Sequence, residues 1–215
     1  MPTIHNEIQG TIEWMRLRWG RPTASEFKNL MTAKFEQRDG EMPKTYLAEK
    51  VAEKILNHAL PGFGGSFDTE QGQMVEDEAR AWFELEVARI RQVGFVTSDD
   101  DRCGCSPDGL IGEDGGLELK CPLAQTHVKY LLAGGLPPEY APQVHGSLYV
   151  TGRKEWTFMS YRRPFPPHIV RVQRDPVIMY KIETALKAFY EKFDAACNIA
   201  DPTGEIRKRN AQTQT

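Results

Sequence analysis

Apolar residues recur at helical intervals on both flanks of a middle stretch that instead reads as strands. Thr23-Ala24-Ser25-Glu26 is a Thr-x-x-Glu capping box opening a helix through Phe27, Leu30 and Met31. Leu47, Val51 and Ile55 at steps of four predict a second helix over Thr45 to His58. PGFGG at 61–65 predicts a loop. Val75, Ala79, Trp82 and Phe83 share one face of a third helix from about Gln73 to Arg91.

From there the pattern changes. Phe95 to Leu110 and Leu117 to Pro122 predict strands, split by the turn cluster Gly112-Glu113-Asp114-Gly115-Gly116. Gln125 to Leu132 predicts a helix and GGLPPE at 134–139 a loop, while Tyr140 to Val150 is apolar enough for a helix or a strand, with helix favoured as far as Tyr149. Trp156, Phe158 and Ser160 alternate along a strand, with Ile169, Arg171 and Gln173 on a partner. Ile182, Leu186, Phe189 and Phe193 mark a long final helix. The layout predicts an α/β (α+β) fold, a central sheet flanked by helices, as one domain over 1–200. The polar residues 201–215 read as a flexible C-terminal tail.

Composition narrows the class without naming a partner. A chain of 215 residues suits one domain with a real core. No apolar run approaches a membrane span and the N-terminus lacks a signal-peptide core, so a cytoplasmic protein is expected. Net charge of −3 neither requires nor excludes nucleic acid, because an acidic exterior can enclose a basic channel. Four cysteines are too sparse for a disulfide framework, and their spacing, with that of His127, His145 and His168, singles out no zinc site.

The chemistry concentrates on the Gly-rich hairpin. A turn centred on Glu113 sets Asp108 opposite Glu118, with Cβ atoms about 4.5–5.5 Å apart. Two carboxylates that close repel unless a cation lies between them, and hard oxygen ligands select Mg²⁺ or Mn²⁺. Strand alternation puts Lys120 on the face of Glu118 and turns Leu119 away. An ammonium beside a metal orients water and offsets phosphate charge, which makes a phosphodiester-hydrolysis site. A surface hairpin can carry such residues by chance. Here the flanking Leu117, Leu119 and Cys121-Pro122-Leu123 read as buried, so the charges need a reason.

Two further groups fit the same chemistry. Glu76 lies at the edge of the apolar face of the third helix, within reach of the sheet. Ser25 falls in the first turn after the capping box, where unpaired N–H groups favour an anion, and Arg18 just upstream can fork onto phosphate oxygens.

Together these residues resemble the phage lambda exonuclease, or YqaJ-like viral recombinase, family. The resemblance rests on Trp14, Arg18 and Thr23-Ala24-Ser25-Glu26, on Gly72-x-x-x-Glu76, and on Cys105-Ser106-Pro107-Asp108-Gly109-Leu110. It continues through Gly116-Leu117-Glu118-Leu119-Lys120-Cys121-Pro122 to Gln143-Val144. It implies a restriction-endonuclease-like (PD-(D/E)XK) core with a central mixed sheet. It also implies a magnesium-dependent 5′-to-3′ exonuclease that degrades one strand of linear double-stranded DNA, for single-strand-annealing recombination.

Residue by residue, it implies that Asp108, Glu118 and the Leu119 carbonyl hold metal, two ions per site, and that Lys120 positions water. Glu76 and Gln143 would support metal or nucleophile, while Arg18, Ser25 and Ser106 would take the 5′-phosphate. A homotrimeric ring, a phage-type single-strand annealing partner and a phage or prophage origin in a bacterial cell follow from the same likeness. The family's apolar strand-splitting wedge has no clear match: counting lands on Thr69, with Phe67 and Met74 nearby. The competing readings are another nuclease of the superfamily, either an endonuclease or a helicase-associated subunit, and a non-catalytic DNA-end-binding ring. Four-cysteine iron–sulfur clusters occur in related nucleases, but this cysteine spacing does not predict one.

Overall fold

The computed structural model describes residues 1–60 and 70–212, and of 70–73 and 212 only the backbone. The PGFGG segment, Phe67 and Thr69 lie outside the described residues. In order, the elements are β1 (Thr3–His5), α1 (Ile12–Arg18), a 3-10 segment (Ala24–Asn29), α2 (Glu41–Leu56) and α3 (Glu70–Glu86). Then come β2 (Phe95–Thr97), β3 (Gly104–Cys105), β4 (Gly109–Ile111), β5 (Gly115–Lys120) and α4 (Ala124–Ala133). A 3-10 turn (Pro138–Tyr140) leads into α5 (Ala141–Thr151), followed by β6 (Glu155–Ser160), β7 (His168–Gln173), α6 (Pro176–Ala200) and α7 (Glu205–Gln212).

The larger sheet has the order β4-β5-β6-β7 and is mixed: β5 and β6 run parallel, and the other two pairings are antiparallel. The β5–β6 crossover runs through α4 and α5, as a parallel connection requires. β5 alternates as the sequence indicates. Leu117 and Leu119 join Ala79 and Phe83 of α3, with Met159 and Tyr161, in one cluster. Burial of each large apolar side chain there contributes about 1.5–3 kcal/mol. Trp156 and Phe158 enter the main core instead, with Val144 and Leu148 of α5 and Ile182 and Phe189 of α6. The sheet is thus covered on both faces, and Glu118 on its α5 side is 2% exposed. Gly116 is required by close approach, since a Cβ there would sit 2.2 Å from the Trp156 ring.

Several elements depart from the sequence reading. The stretch Phe95–Leu110 is three short strands rather than one, because the chain turns at Asp101 (φ +56°) and passes from the smaller sheet, β1-β2-β3, to the larger. β1 and α1 carry no pattern that announced them: no residue of α1 is fully buried. The capping box opens a six-residue 3-10 segment, not an α-helix, and the Thr23 side chain makes no cap bond. Beyond Asp201, where frayed chain was expected, α7 forms. Asp201 is 1% exposed and accepts from the Ile206 and Arg207 backbone N–H groups, while Asn210 donates to the Ile55 carbonyl of α2 at 3.0 Å.

Candidate active site

The hairpin register matches the expectation: Gly109 pairs with Leu117 and Ile111 with Gly115, so Asp108 stands opposite Glu118. The ladder runs on to the Asp108 N–H, which donates to the Leu117 carbonyl at 3.2 Å. The Asp108 carboxylate then accepts the backbone N–H of Leu119 at 2.6 Å, which ties its side chain to β5. Lys120 Nζ lies 2.6 Å from Glu118 Oε1, and Gln143 of α5 donates to that same oxygen at 2.6 Å. The Lys120 ammonium also lies 5.4 Å from the centre of the Tyr140 ring.

Asp108 is only half-buried. Even so, the protein packed around its carboxyl and the neighbouring Glu118 push it from 3.8 up to about 7, against the pull of Lys120, the Leu119 N–H and Arg80. Burial disfavours the Lys120 charge, but Glu118 and Asp108 outweigh that and hold its pKa above the ordinary lysine value. Two oxygen donors from carboxylates, one of them raised toward neutrality by burial and by its neighbour, suit a hard divalent cation. Among the described residues no three Asp, Glu, His or Cys side chains converge into a ready cage. A cation here would therefore draw on the Asp108–Glu118 pair and on backbone such as the Leu119 carbonyl.

Glu76 approaches through an intermediary the sequence reading missed. Arg80, one helical turn on, pairs with Glu76 at 2.7 Å and donates to the Asp108 carbonyl. The i,i+4 spacing of Glu76 and Arg80 was the available signal.

The residues expected to take an anion are also brought together. Arg18 donates to Ser106 Oγ at 2.9 Å and to Thr23 Oγ1 at 3.4 Å, and Thr23 Oγ1 lies 3.2 Å from Ser25 Oγ. Trp14 Nε1 donates to Ser106 Oγ at 3.2 Å, and its ring lies 4.6 Å beneath the Arg18 guanidinium. Gly104 brings the segments together, pairing with Thr23 and donating to the Pro22 carbonyl at 3.0 Å. The helix-dipole part of the expectation is corrected: a six-residue 3-10 segment offers little aligned dipole, which leaves Arg18 as the cationic group of the cluster.

Of the wedge candidates, Met74 is 71% exposed on α3. The four cysteines are free thiols, and burial pushes Cys103 up to about 12 and Cys121 up to about 11. His127 is fully buried between Ser160 Oγ (2.7 Å) and the Pro166 carbonyl (3.0 Å), a packing role. Among the described residues no helix is long and apolar enough to cross a membrane.

Two crystal structures of LHK-Exo resemble most of the chain. The alkaline exonuclease LHK-Exo from Laribacter hongkongensis matches with a TM-score of 0.78 and 27% identity, over 95% of this chain and 100% of that one. LHK-Exo in complex with dAMP matches with a TM-score of 0.79 and 28% identity, over 91% and 98%. A phage-related exonuclease from Haemophilus somnus 129PT, at a TM-score of 0.62, 12% identity and coverage of 84% and 96%, shares the fold alone. No curated protein matches the chain significantly in sequence. The fold is that of the lambda-exonuclease-like nucleases, with a restriction-endonuclease-like core. The model of the YqaJ-like viral recombinase domain matches residues 13–154, which span the hairpin, the Arg18 pocket and Gln143, and the chain belongs to that family.

Proposed function

We propose that this member of the YqaJ-like family, a recombination-associated exonuclease, degrades one strand of linear double-stranded DNA in the 5′-to-3′ direction from 5′-phosphorylated ends, using Mg²⁺. The observation that carries this reading is the Asp108–Glu118 pair with Lys120 on Glu118 at 2.6 Å, on a sheet covered on both faces. Asp108, Glu118 and the Leu119 carbonyl hold Mg²⁺, or Mn²⁺ in its place, with Glu76 supporting a second ion. The bound cation supplies Lewis acidity toward the scissile phosphate. Lys120 holds the attacking water and offsets charge on the phosphate, and Gln143 fixes the aim of Glu118.

Arg18, Ser25 and Ser106 hold the terminal 5′-phosphate, so that each cut presents a new phosphate to the same pocket. LHK-Exo was crystallised with dAMP, and a 5′-mononucleotide is the product such cutting releases. The family likeness supports a homotrimeric ring around DNA and a single-strand annealing partner, in the cytoplasm of a bacterial host carrying a phage or prophage. The test is digestion of linear against covalently closed duplex in Mg²⁺. An end-dependent exonuclease consumes the first and spares the second, an endonuclease cuts both, and a non-catalytic ring cuts neither.

A further inference from the structure

The Arg18 pocket is backed by a cluster of buried charges that the hydrolysis does not use. Tyr46, Lys50 and Glu53 fall at i, i+4 and i+7 on one face of α2, and they are 1%, 3% and 3% exposed. α2 lies against the turn after Arg18. A Cβ on Gly20 (φ +64°) would lie 2.7 Å from the Lys54 Cβ. Buried charges are costly, and a face of three polar side chains turned inward needs a reason.

Their contacts supply one. Lys50 Nζ lies 3.1 Å from Glu26 Oε2 and 3.1 Å from Glu53 Oε2. Glu26 Oε2 also accepts from the Thr23 hydroxyl and from the Tyr46 hydroxyl, both at 3.1 Å, and Glu53 Oε2 accepts from the Gly20 N–H at 3.0 Å. The Thr23 hydroxyl spends its single proton on Glu26, so toward Arg18 it can only accept, as the 3.4 Å contact requires.

Arg18 makes no ion pair of its own among the described residues, and its donors go to the neutral hydroxyls of Ser106 and Thr23. Yet Glu26 and Glu53 are near enough to raise its pKa against the lowering effect of burial. Two carboxylates that could capture the guanidinium are each held by Lys50 instead.

We propose that Lys50 is a positioning residue for the end pocket: it occupies Glu26 and Glu53, so that the Arg18 guanidinium stays uncommitted and aimed at a terminal phosphate. This rests on the phosphate-pocket reading above. Without Lys50, two carboxylates, Glu53 buried and Glu26 half-buried, share one guanidinium, and an incoming phosphate has to displace them.

The test is steady-state digestion, by the full chain with Mg²⁺, of linear duplex bearing 5′-phosphate or 5′-hydroxyl ends. Lys50→Met is expected to raise KM for phosphorylated ends about tenfold, the worth of one charge-assisted contact, with kcat and the KM for hydroxyl ends unchanged. Glu26→Gln leaves Lys50 on Glu53 and is expected to keep the wild-type preference. If Lys50→Met does not fold, Lys50→Met/Glu26→Gln/Glu53→Gln removes every charge of the cluster and is expected to fold with the preference intact. Loss of the preference in that folded variant overturns the proposal.

An unchanged preference in folded Lys50→Met also overturns the role of Lys50, while the end pocket stands. Wild-type protein that digests both ends alike overturns the pocket and this role with it. Calorimetric titration with inorganic phosphate reads the same ranking without turnover: weakened in Lys50→Met, retained in Glu26→Gln.

Discussion

Gln143 reaches from α5 to donate to Glu118 Oε1 at 2.6 Å, the oxygen that also holds the Lys120 ammonium. The α5 side of the sheet therefore sets the direction of a β5 carboxylate. Gln143→Ala is expected to lower kcat roughly 10–100-fold, as loss of a group that orients a metal ligand does. The melting temperature should stay at the wild-type value, because Gln143 is not part of the apolar core. Steady-state kinetics and a thermal melt check both halves.

On the proposed function, the two carboxylates act at the chemical step rather than in packing. Asp108→Ala and Glu118→Ala are each expected to reduce hydrolysis by at least about 10³-fold with the fold retained, and Lys120→Ala to be nearly inactive while still binding metal. Wild-type turnover in either carboxylate variant removes the hairpin from the mechanism. Calorimetric titration with Mn²⁺ separates the lysine from the ligands.

With Asp108 as a metal ligand, as proposed, metal binding is linked to pH. The Asp108 carboxyl is raised from 3.8 to about 7 in the folded protein. Between those values the folded state keeps a proton the unfolded chain has released, so metal-free stability falls as pH rises through this window. A divalent cation must displace that proton, so its affinity tightens as pH rises toward about 7 and levels off above it. Melting curves against pH, with and without Mg²⁺, should diverge on the alkaline side. Divergence on the acid side would contradict the assignment.

Much of this site is legible in the sequence because one tight turn and strict alternation fix a hairpin's register. That is why Asp108 could be set opposite Glu118 and why Leu119 could be turned away from Glu118 and Lys120. The rest depends on contacts that pattern does not carry. Thr23 reads as a helix cap, but its hydroxyl is spent on Glu26. Phe95–Leu110 reads as one strand because its apolar residues hide a turn, where the Asp101 N–H donates to the Ser98 carbonyl at 2.9 Å. α7 lacks an apolar stripe and is held through Asp201 and Asn210. Lys50 shows only as a lysine within an apolar-periodic helix, and its burial emerges once Glu26 and Glu53 are brought to it from either side.

The end pocket predicts discrimination by charge. A terminal phosphate carries more charge than an internal diester, so Arg18→Ala is expected to slow digestion of phosphorylated ends about tenfold and to erase the difference from hydroxyl ends. Metal affinity should be unchanged, since Arg18 contacts Ser106 and Thr23 rather than the carboxylates. Retention of the full phosphate preference would take Arg18 out of the pocket.

A closed ring is expected to keep an acidic chain on its substrate by turning basic residues toward a channel. Light scattering at working concentration should report a trimer, and a monomer would count against the ring.

The central claim, strand-selective cutting from the 5′ end by the Asp108–Glu118–Lys120 site, is tested most directly by following label release from linear duplex in Mg²⁺. With 5′-phosphorylated ends labelled on the terminal nucleotide, labelled 5′-mononucleotide is expected from the first turnover, and none from Asp108→Ala or in the presence of chelator. Release of 3′-terminal label ahead of 5′-terminal label, or equal release by Asp108→Ala, would contradict it.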